Sequence, residues 1–470
     1  MYSNSDIGIE NFGIIKSADI NISPLTVFIG PNSCGKSFIA KLIHCLSLNP
    51  DENISEGVMQ HIANSFKNLD EDNQFKIVAL IDDFNEYIKT NPALESDPLK
   101  IPIKHIDSII NNLIDYLSEI IGEMIEEQFD EDLDDLINFN SDCFKIKVKN
   151  NTLCKKINEN LILNAGNIVL DSNNSNMNSN IVMHVTSDEK FFLFNIESKL
   201  LNKSDLDDGF IFFMFYQSVG LAIFQSMLLE NSFYIPAERS EIIMDKKLLT
   251  RKIKNKSDTS KNQSDVLANI LNIDTSKKSV FYDLGCELEG EFSNIKIDID
   301  DENIFNSITY NHAGTNREVS SRLLSTSIHE ISILILYLKY VLSENDLLII
   351  EEPEAHLHPK NQRILIKYIV KAINKGLKVM FTTHSDYILN QINNFINLNN
   401  VSDLSKVGYD EEIILKSHDV NIYSFKMNED ESYSVDELDI TEYGFTEDNF
   451  SKISAELYDE TIIIDNLSVR

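Results

Sequence analysis

Short alternating runs of apolar and polar residues lead into a glycine-rich loop near the start of the chain. Residues 7–29 consist of apolar pieces broken by turn-forming residues such as Gly13 and Pro24, a pattern that predicts two or three strands. After Lys36 the apolar positions recur at helical spacing, which predicts a helix. The loop FIGPNSCGKS at residues 28–37 is therefore expected to join a strand to a helix.

An acidic region without an internal repeat follows this helix. Residues 58–140 have helical apolar spacing, and between Ile103 and Met124 the apolar steps alternate between three and four residues. Such a stripe suits either a helix packed on its own domain or a helix that pairs with a partner. Strand-like runs separated by polar segments occupy residues 144–197. The region is predicted to be an acidic insertion of helices and strands.

Strand and helix patterns alternate in the second half of the chain. Strands are predicted within FYIPAERS, SVFYDL, IKIDI, LLIIEEPE and KVMFTTHS, and a helix is predicted from about Ser327 to Leu342. This alternation predicts an α/β fold with a mostly parallel sheet as its core and antiparallel strands at the N-terminus. The expected core domain comprises residues 1–57 and 206–400, the insertion residues 58–205, and a C-terminal appendage residues 401–470.

The composition adds a strong negative charge to this picture. Hydrophobic residues make up 43% of the 470 positions and charged residues 25%, which is typical of a folded protein, while the formal net charge is -34. This charge weakens non-specific attraction to nucleic acid. Any such contact is expected to be local, and residues 246–261, with seven Lys or Arg side chains, are the candidate segment. A basic loop that balances nearby acids is the alternative.

Compartment signals favour the cytoplasm. The N-terminal sequence MYSNSDIGIE has no basic start or apolar run, and the five cysteines are scattered without a CxxC pair. The stretch from Phe210 to Leu229 is uncharged and long enough to span a bilayer. Its polar residues recur on one side of a helix and acidic residues flank it, so a buried core helix is the favoured interpretation. We expect a cytoplasmic protein without a membrane segment.

The glycine-rich loop has the spacing G-x-x-x-x-G-K-[ST]. Its glycines allow backbone N–H groups to surround phosphate oxygens, while Lys36 can reach the terminal phosphates and Ser37 can bind Mg²⁺. The preceding strand and the following helix are the context in which this motif binds phosphate. The predicted ligands are therefore ATP and Mg²⁺. The predicted contacts are Gly30, Pro31, Asn32, Ser33, Cys34, Gly35, Lys36, Ser37 and Phe38.

Two further apolar strands end in residues that suit phosphate chemistry. LLIIEEPE delivers Glu351, which we assign to Mg²⁺, and Glu352, which we assign to an attacking water. A strand that ends in a solvated acidic turn is the alternative. KVMFTTHS delivers His384, whose imidazole could bond the leaving phosphate or the water, or could be structural.

Three hydroxyl residues, Ser325, Thr326 and Ser327, precede the apolar helix of the second half. Hydroxyls beside unpaired helix N–H groups can bind an anion. They can equally cap the helix, with Ser327 and Glu330 forming a capping box. The spacing alone favours the cap.

In combination these motifs resemble the ABC-type ATPase heads of the OLD (overcoming lysogenisation defect) group, which are relatives of SMC and RecF proteins. The motifs are IENFGIIK at residues 9–16, GPNSCGKS, PAERS, the hydroxyl residues, EEPEAHLHP and TTHS, in that order. The resemblance implies an ABC-type P-loop head in which two copies enclose ATP. Each nucleotide would contact Lys36 and Glu352 of one head and the hydroxyls from Ser325 to Ser327 of the other. The glycines usual in ABC signatures are absent here.

The same resemblance implies partners and a regulatory role. Arg239 of PAERS would be a phosphate or interface arginine, and the chain would form a head-to-head dimer or a larger ring. Many members carry a C-terminal Toprim nuclease, but no matching carboxylate pattern follows His384. A separate effector nuclease is therefore expected, as in anti-phage systems of the Septu and PARIS types, with this chain as sensor or regulator. The alternatives are a DNA repair or chromosome-maintenance ATPase of RecF or SMC type and a slow nucleotide switch.

Overall fold

The structure is a computed structural model of the chain. The described residues are 6–47, 99–102, 119–148, 151–156, 162–165, 181–187, 191–198, 231–244, 261–300, 307–315, 317–447 and 456–464. The predicted core helix at 210–229, the basic stretch at 246–260 and the apolar stripe up to residue 118 lie outside them.

Sixteen strands and nine helices lie within the described residues. The strands are β1 (Asp6–Phe12), β2 (Ile15–Asn21), β3 (Leu25–Ile29), β4 (Leu99–Pro102), β5 (Cys143–Val148), β6 (Asn151–Lys156), β7 (Ile162–Ala165), β8 (Ile181–Ser187), β9 (Phe191–Ser198), β10 (Ser232–Ile235), β11 (Ile295–Asp300), β12 (Ser307–His312), β13 (Leu347–Glu351), β14 (Lys378–Thr383), β15 (Val420–Met427) and β16 (Tyr433–Glu437). The helices are α1 (Lys36–Cys45), α2 (119–129), α3 (Arg239–Met244), α4 (Lys261–Leu271), α5 (Tyr282–Phe292), α6 (Thr326–Tyr340), α7 (Pro359–Asn374), α8 (Asp386–Asn397) and α9 (456–464).

The chain divides into two compact units, and each unit combines separate stretches of sequence. Unit 1 contains Met1–Asn4, Ala18–His44 and Glu230–Arg470. Unit 2 contains Ser5–Ser17 and Cys45–Leu229. Unit 2 begins at Cys45 and ends at Leu229, whereas the predicted insertion comprised residues 58–205. Strand β1 also belongs to unit 2.

The core of unit 1 is a mostly parallel sheet with the strand order β10-β13-β14-β3-β15-β16. The first five strands pair in parallel, and β16 pairs antiparallel with β15. The predicted α/β fold with a mostly parallel sheet is therefore confirmed. The prediction of an appendage at 401–470 was wrong, because β15 pairs directly with β3 in this sheet.

Burial explains why the central strands read as continuous apolar runs. Every residue of β3, β13 and β14 is buried, as expected for parallel strands that are covered on both faces. Helix α6 is buried from His329 to Lys339, and a helix that is apolar nearly all round belongs inside a core. Helix α5 packs against α6 and α7, and α7 packs against α8.

The strand predicted within SVFYDL was wrong, because this segment leads into helix α5. Phe281 lies at the N-cap of α5. The buried residues Phe281, Leu284 and Leu288 recur at steps of three and four, which is helical spacing. A six-residue apolar run cannot distinguish strand from helix by composition alone.

Unit 2 is built from antiparallel strands and one described helix. Strands β1, β5, β6 and β7 pair in that order, and β4, β9 and β8 form a second sheet. The ring of Phe12 on β1 packs edge-on against Phe129 and Phe144, at centroid distances of 5.6 and 5.1 Å. The mixture of helix and strands agrees with the predicted character of the insertion. Within the described residues, no helix has the length and apolar content needed to cross a bilayer.

Candidate functional site

Four parallel strands of unit 1 end at the same edge of the sheet. The register pairs Ile235 with Ile350, Glu351 with Thr382, and Thr383 with Ile29. The segments that follow β10, β13, β14 and β3 therefore emerge side by side. They are PAERS, the acidic turn EPEA, His384 and the glycine-rich loop, and open α/β sheets bind ligands at this edge.

The glycine-rich loop is a tight turn that leads into helix α1. Gly30, Ser33 and Gly35 have positive φ angles of 152°, 59° and 98°. A Cβ at Gly30 would lie 2.9 Å from the Cβ of Phe425 and 3.1 Å from the Sγ of Cys34, so only glycine fits there. The N–H of Ile39 donates to the carbonyl of Gly35 at 3.0 Å, and the first turn of α1 thus begins within the loop.

The Lys36 ammonium lies inside this loop. Its Nζ donates to the carbonyls of Gly30 at 3.0 Å and Pro31 at 2.6 Å, and to the Sγ of Cys34 at 3.6 Å. Burial lowers the pKa of Lys36, opposed by the charges of Cys34, Glu352 and Glu354. The hydrogen-bond partners are uncharged in their usual forms, so a buried cation lies at the N-terminus of helix α1. This donor set suits a phosphate anion.

The other loop residues divide into a buried and an exposed set. Cys34 is buried, and burial raises the pKa of its thiol. Pro31, Asn32 and Ser33 are exposed, whereas Gly35, Ser37 and Phe38 are half-buried. All nine predicted contact residues are therefore in one contiguous turn, but their contacts with nucleotide stay predictions.

Glu351 ends β13 with its carboxylate buried and bonded on both oxygens. The Tyr234 hydroxyl donates to Oε1, and the N–H of Ala237 donates to Oε2 at 3.1 Å. Each carboxylate oxygen can accept more than one bond, so a role in binding Mg²⁺ stays a prediction. Among the residues that the structure describes, no three His, Cys, Asp or Glu side chains form a group that could hold a metal ion by themselves.

Glu352 has a left-handed backbone and presents its side chain outward. Its φ angle is 42°, which is uncommon for a residue with a side chain. Its N–H donates to the carbonyl and the hydroxyl of Thr382, each at 3.1 Å. The side chain is 45% exposed, and its Oε1 lies 3.9 Å from Nε2 of His384. The two residues predicted to act on the water are thus brought together.

His384 follows β14, and besides burial the charges of Lys36 and Glu352 shift the pKa of its imidazole, in opposite directions. Burial lowers the pKa of the imidazole, the charge of Lys36 lowers it further, and the charge of Glu352 raises it. Because the pKa lies below its usual value near neutrality, the ring is neutral at physiological pH. A neutral ring can both donate and accept a hydrogen bond.

Glu354 is a site residue that the sequence predictions missed. Its Oε1 accepts bonds from the Thr383 hydroxyl at 2.8 Å and from the N–H of His384 at 2.6 Å. Its Oε2 is buried and has no hydrogen-bond partner within the described part of the chain. The available signal was the third acid of EEPE, which lies in the same turn as the first two.

Arg239, predicted as a phosphate or interface arginine, makes a set of contacts within its own chain, and the predicted role stays a prediction. The guanidinium is buried, and its nitrogens donate to the carbonyls of Glu330, Pro236, Glu351 and Glu352 at 2.8–3.2 Å. Its Nε also lies 2.8 Å from Oε2 of Glu330. The side chain thus holds the protein's own backbone.

The predicted capping box at Ser327 and Glu330 was also wrong. Helix α6 begins at Thr326 with Ser325 as its N-cap, and no side chain caps it. The hydroxyls of Ser325 and Ser327 lie 2.8 Å apart, while Glu330 pairs with Arg239. Within the described residues these hydroxyls make no hydrogen bond to the glycine-rich loop or the acidic turn.

Comparison with known proteins identifies the family of this chain. The sequence profile of the AAA ATPase domain matches residues 5–389. The chain belongs to the AAA ATPase domain family. That match includes the glycine-rich loop, the acidic turn and His384, so the motifs lie within the family's domain. No protein of curated function matches the chain by sequence.

Several solved structures of SMC heads align with this ATPase domain chain over most of its length. One is an SMC head bound to the C-terminal winged-helix domain of ScpA, with 11% identity, a TM-score of 0.38, and coverage of 93% of this chain and 97% of that one. Another is the SMC head domain from Thermotoga maritima, with 9% identity, a TM-score of 0.34 and coverage of 93% and 100%. A third is an SMC head with an extended coiled coil, bound to the C-terminal domain of ScpA derived from Pyrococcus furiosus, with 11% identity, a TM-score of 0.34 and coverage of 96% and 98%.

Replacing Gly30 by alanine tests the packing of the glycine-rich loop. The added Cβ would overlap Phe425, so we expect Gly30→Ala to cost about 1–3 kcal/mol through overpacking, measured as a lower midpoint of thermal unfolding. Gly408→Ala is the matched control, because Gly408 also has a positive φ of 74° but no atom within 4 Å of the added Cβ. Equal losses in the two variants would show that the contact with Phe425 is unimportant.

The buried carboxyl of Glu354 should make the stability difference between the wild type and Glu354→Gln depend on pH. Burial raises the pKa of this carboxyl, against bonds from His384 and Thr383 that lower it. Because the folded pKa lies above the unfolded one, the wild type loses stability as the pH rises through the folded pKa. Glutamine has no such loss, so the thermal midpoint of Glu354→Gln should gain on the wild type as the pH rises from about 5, above the unfolded carboxyl pKa, through the folded pKa.

Glu412→Gln is the control for this measurement. A hydrogen bond from Lys371 lowers the pKa of Glu412, so that side chain is ionised across the whole range and its variant should differ from the wild type by a constant amount. A constant difference for Glu354→Gln as well would contradict the burial of an ionised carboxylate at this position.

Proposed function

We propose that this chain binds ATP with Mg²⁺ and hydrolyses it, using an ABC-type site at the shared edge of its parallel sheet. The observation that carries the proposal is the convergence of Lys36, Glu352 and His384 from three adjacent strands. The charges of Lys36 and Glu352 each act on the pKa of His384, and Glu352 and His384 are 3.9 Å apart. An anion site, a carboxylate and an imidazole at one edge suit phosphoryl transfer to water.

Binding of the triphosphate rests on the loop and the start of α1. The N–H groups of the turn and the helix N-terminus would bond phosphate oxygens, and the Lys36 ammonium would neutralise the terminal phosphates. When bound, Mg²⁺ would draw charge from the phosphate oxygens, with Ser37 and Glu351 as its protein ligands. Asn32 and Ser33 lie on the exposed side of the turn, where their backbone can approach the nucleotide.

Hydrolysis needs a residue that orients and deprotonates water. The Glu352 carboxylate is exposed to the site and fixed by its left-handed backbone, so it can accept a proton from a water that attacks the terminal phosphate. The neutral His384 imidazole is suited to orient that water or to donate to the phosphate. Glu354 would keep His384 in place by accepting its N–H.

The hydroxyls from Ser325 to Ser327 are proposed to act on the nucleotide of a second copy. Ser325 is exposed at the beginning of α6, and its neighbour Leu323 is 81% exposed. The hydroxyls make no hydrogen bond to the loop of their own chain within the described residues. A head-to-head dimer or larger ring would bring them to a partner's phosphates and would bury Leu323.

The biological role is proposed from the sequence resemblance. A regulator that senses infection and controls a separate nuclease agrees with the order of the motifs. The second candidate is a DNA repair or chromosome-maintenance ATPase, favoured by the basic residues at 246–261. Hydrolysis stimulated by DNA in a salt-sensitive manner would favour the second candidate. Copurification of a nuclease that ATP releases would favour the first.

The Lys36 and Glu352 roles predict different defects in two variants. Lys36→Ala should abolish ATP binding at concentrations that saturate the wild type, because the cation beside the phosphates is lost. Glu352→Gln should bind ATP normally and lose about 10²- to 10⁴-fold in turnover, because glutamine cannot accept the proton. Equilibrium nucleotide binding and phosphate release measure the two defects separately.

Two matched variants control for general damage. Lys41→Ala removes a lysine from the same helix α1 outside the loop, and Glu431→Gln alters an exposed glutamate that also has a positive φ, of 63°, in the turn between β15 and β16. Both should bind and hydrolyse ATP like the wild type. Normal turnover in Glu352→Gln, or normal binding in Lys36→Ala, would be inconsistent with the proposed site.

A further inference from the structure

Arg239 connects three segments of unit 1 that are distant in sequence. Its Nη1 donates to the carbonyls of Pro236 at 3.2 Å and Glu351 at 2.8 Å, and its Nη2 donates to the carbonyl of Glu352 at 3.0 Å. Its Nε faces Glu330 on helix α6. We propose that Arg239 is a positioning residue that fixes the Glu352 turn and links it to the helix that begins at the exposed hydroxyls.

The backbone of Glu352 needs a restraint from other residues. A φ of 42° is disfavoured for a residue with a side chain and persists only where neighbours over-determine it. Thr382 holds the N–H side of the residue, with both bonds at 3.1 Å. Arg239 holds the carbonyl side, and the same carbonyl accepts the N–H of Ala355 at 2.9 Å. Without the guanidinium, one side of this restraint is lost.

The guanidinium of Arg239 cannot be replaced by a lysine ammonium. Planar N–H groups that point in different directions reach the carbonyls of two consecutive residues and the helix at once. A lysine ammonium at this position would keep the positive charge beside Glu330 but would not reach all of these acceptors. Arg239→Lys therefore separates the charge from the geometry.

A buried ion pair joins Arg239 to Glu330 on helix α6. The side chains of Arg239 and Glu330 are only 3% and 1% exposed, and their Nε and Oε2 atoms are 2.8 Å apart. A buried ion of this kind is strongly tied to its partner, because separating the pair leaves an uncompensated charge. Glu330 lies in the first turns of α6, close behind Ser325 to Ser327. A shift of this helix would therefore reach the backbone of Glu352 through one side chain.

This inference rests on the proposed function for its catalytic consequence, but not for its structural one. The structural consequence is measured by amide hydrogen exchange of the chain without nucleotide. In Arg239→Lys, peptides covering residues 351–357 should exchange about tenfold or more faster than in the wild type, because the Ala355 N–H loses its fixed acceptor. Arg363→Lys is the matched control, since Arg363 also donates to side chains, Gln391 and Tyr409, away from the site. It should leave these peptides unchanged.

The catalytic consequence is measured by a double-mutant cycle with Glu352→Gln. Arg239→Lys should lower kcat by about tenfold to hundredfold, as expected for a small misplacement of a reacting group, while the Kd for ATP stays within about threefold. In the Glu352→Gln background the same change should lower kcat by less than about threefold, because its effect passes through Glu352. Arg363→Lys should leave kcat unchanged in both backgrounds.

The outcomes distinguish a positioning role of Arg239 from a direct phosphate contact and from an effect that does not pass through Glu352. Unchanged exchange at 351–357 in Arg239→Lys would overturn the proposal. A large rise in the Kd for ATP would indicate a direct phosphate contact instead, and equal losses in the two backgrounds would indicate that Arg239 does not act through Glu352. If the wild type hydrolysed no ATP, the proposed function would fall, whereas the exchange result would still decide whether Arg239 holds the turn.

A second variant covers the case in which Arg239→Lys does not fold. The double change Arg239→Met with Glu330→Met removes both buried charges together, so neither is left without a partner. The same acceleration of exchange and the same dependence on Glu352 are expected for it. Wild-type exchange rates in the double variant would overturn the proposal in the same way.

Discussion

The parallel pairing of four strands is the constraint on which the candidate site depends. Parallel strands deliver their C-terminal ends to one edge, and here the edge strand β10 and its neighbours β13, β14 and β3 do so in adjacent positions. The register fixes which residues emerge together, since Glu351 is level with Thr382 and Thr383 with Ile29. This register brings the loop that begins at residue 30 beside the acids that begin at residue 351. The position of the site follows from hydrogen bonds between buried, mostly apolar strands, of which β13 and β14 end in polar residues.

Local environment, and not the net charge, determines what this edge can bind. The chain carries a formal charge of -34, which should repel a polyanion at a distance. Inside the loop, however, Lys36 is buried with carbonyl and thiol partners, next to the N-terminus of a ten-residue helix. Charges interact more strongly where water is excluded, so this short-range attraction outweighs the distant acids. The nearest carboxylates, Glu352 and Glu354, are the ones that the proposed chemistry and its supporting turn require.

The parts of the site that the sequence could predict are those set by neighbours along the chain. The loop around Lys36, the acids after β13 and His384 after β14 each follow an apolar strand, so their placement needed only the alternation of strands and helices. The role of Arg239 could not be predicted, because its acceptors lie at residues 236, 330, 351 and 352 and meet only in the folded chain. A phosphate contact was the reasonable expectation for an arginine beside this motif. Its contacts with backbone carbonyls are an additional feature that only the folded chain reveals.

Non-local pairing also explains the errors in the fold. Strand β15 pairs with β3 although nearly 400 residues separate them, and nothing in its own sequence distinguishes a central strand from an edge strand of an appendage. The misassigned start of α5 has a local cause. A short apolar segment fits the two-residue period of a strand as well as the 3.6-residue period of a helix, and only its burial distinguishes them. The capping box failed because Glu330 was drawn to a buried arginine, an interaction that outweighs a cap at a half-exposed helix start.

The most direct test of the central claim is a crystal structure of this chain with Mg²⁺ and a non-hydrolysable ATP analogue. The account predicts phosphate oxygens against the N–H groups of residues 33–37, with the terminal phosphate between the Lys36 ammonium and the Glu352 carboxylate. Triphosphate bound at any other surface, with Lys36 still bonded to the carbonyls of Gly30 and Pro31, would contradict it.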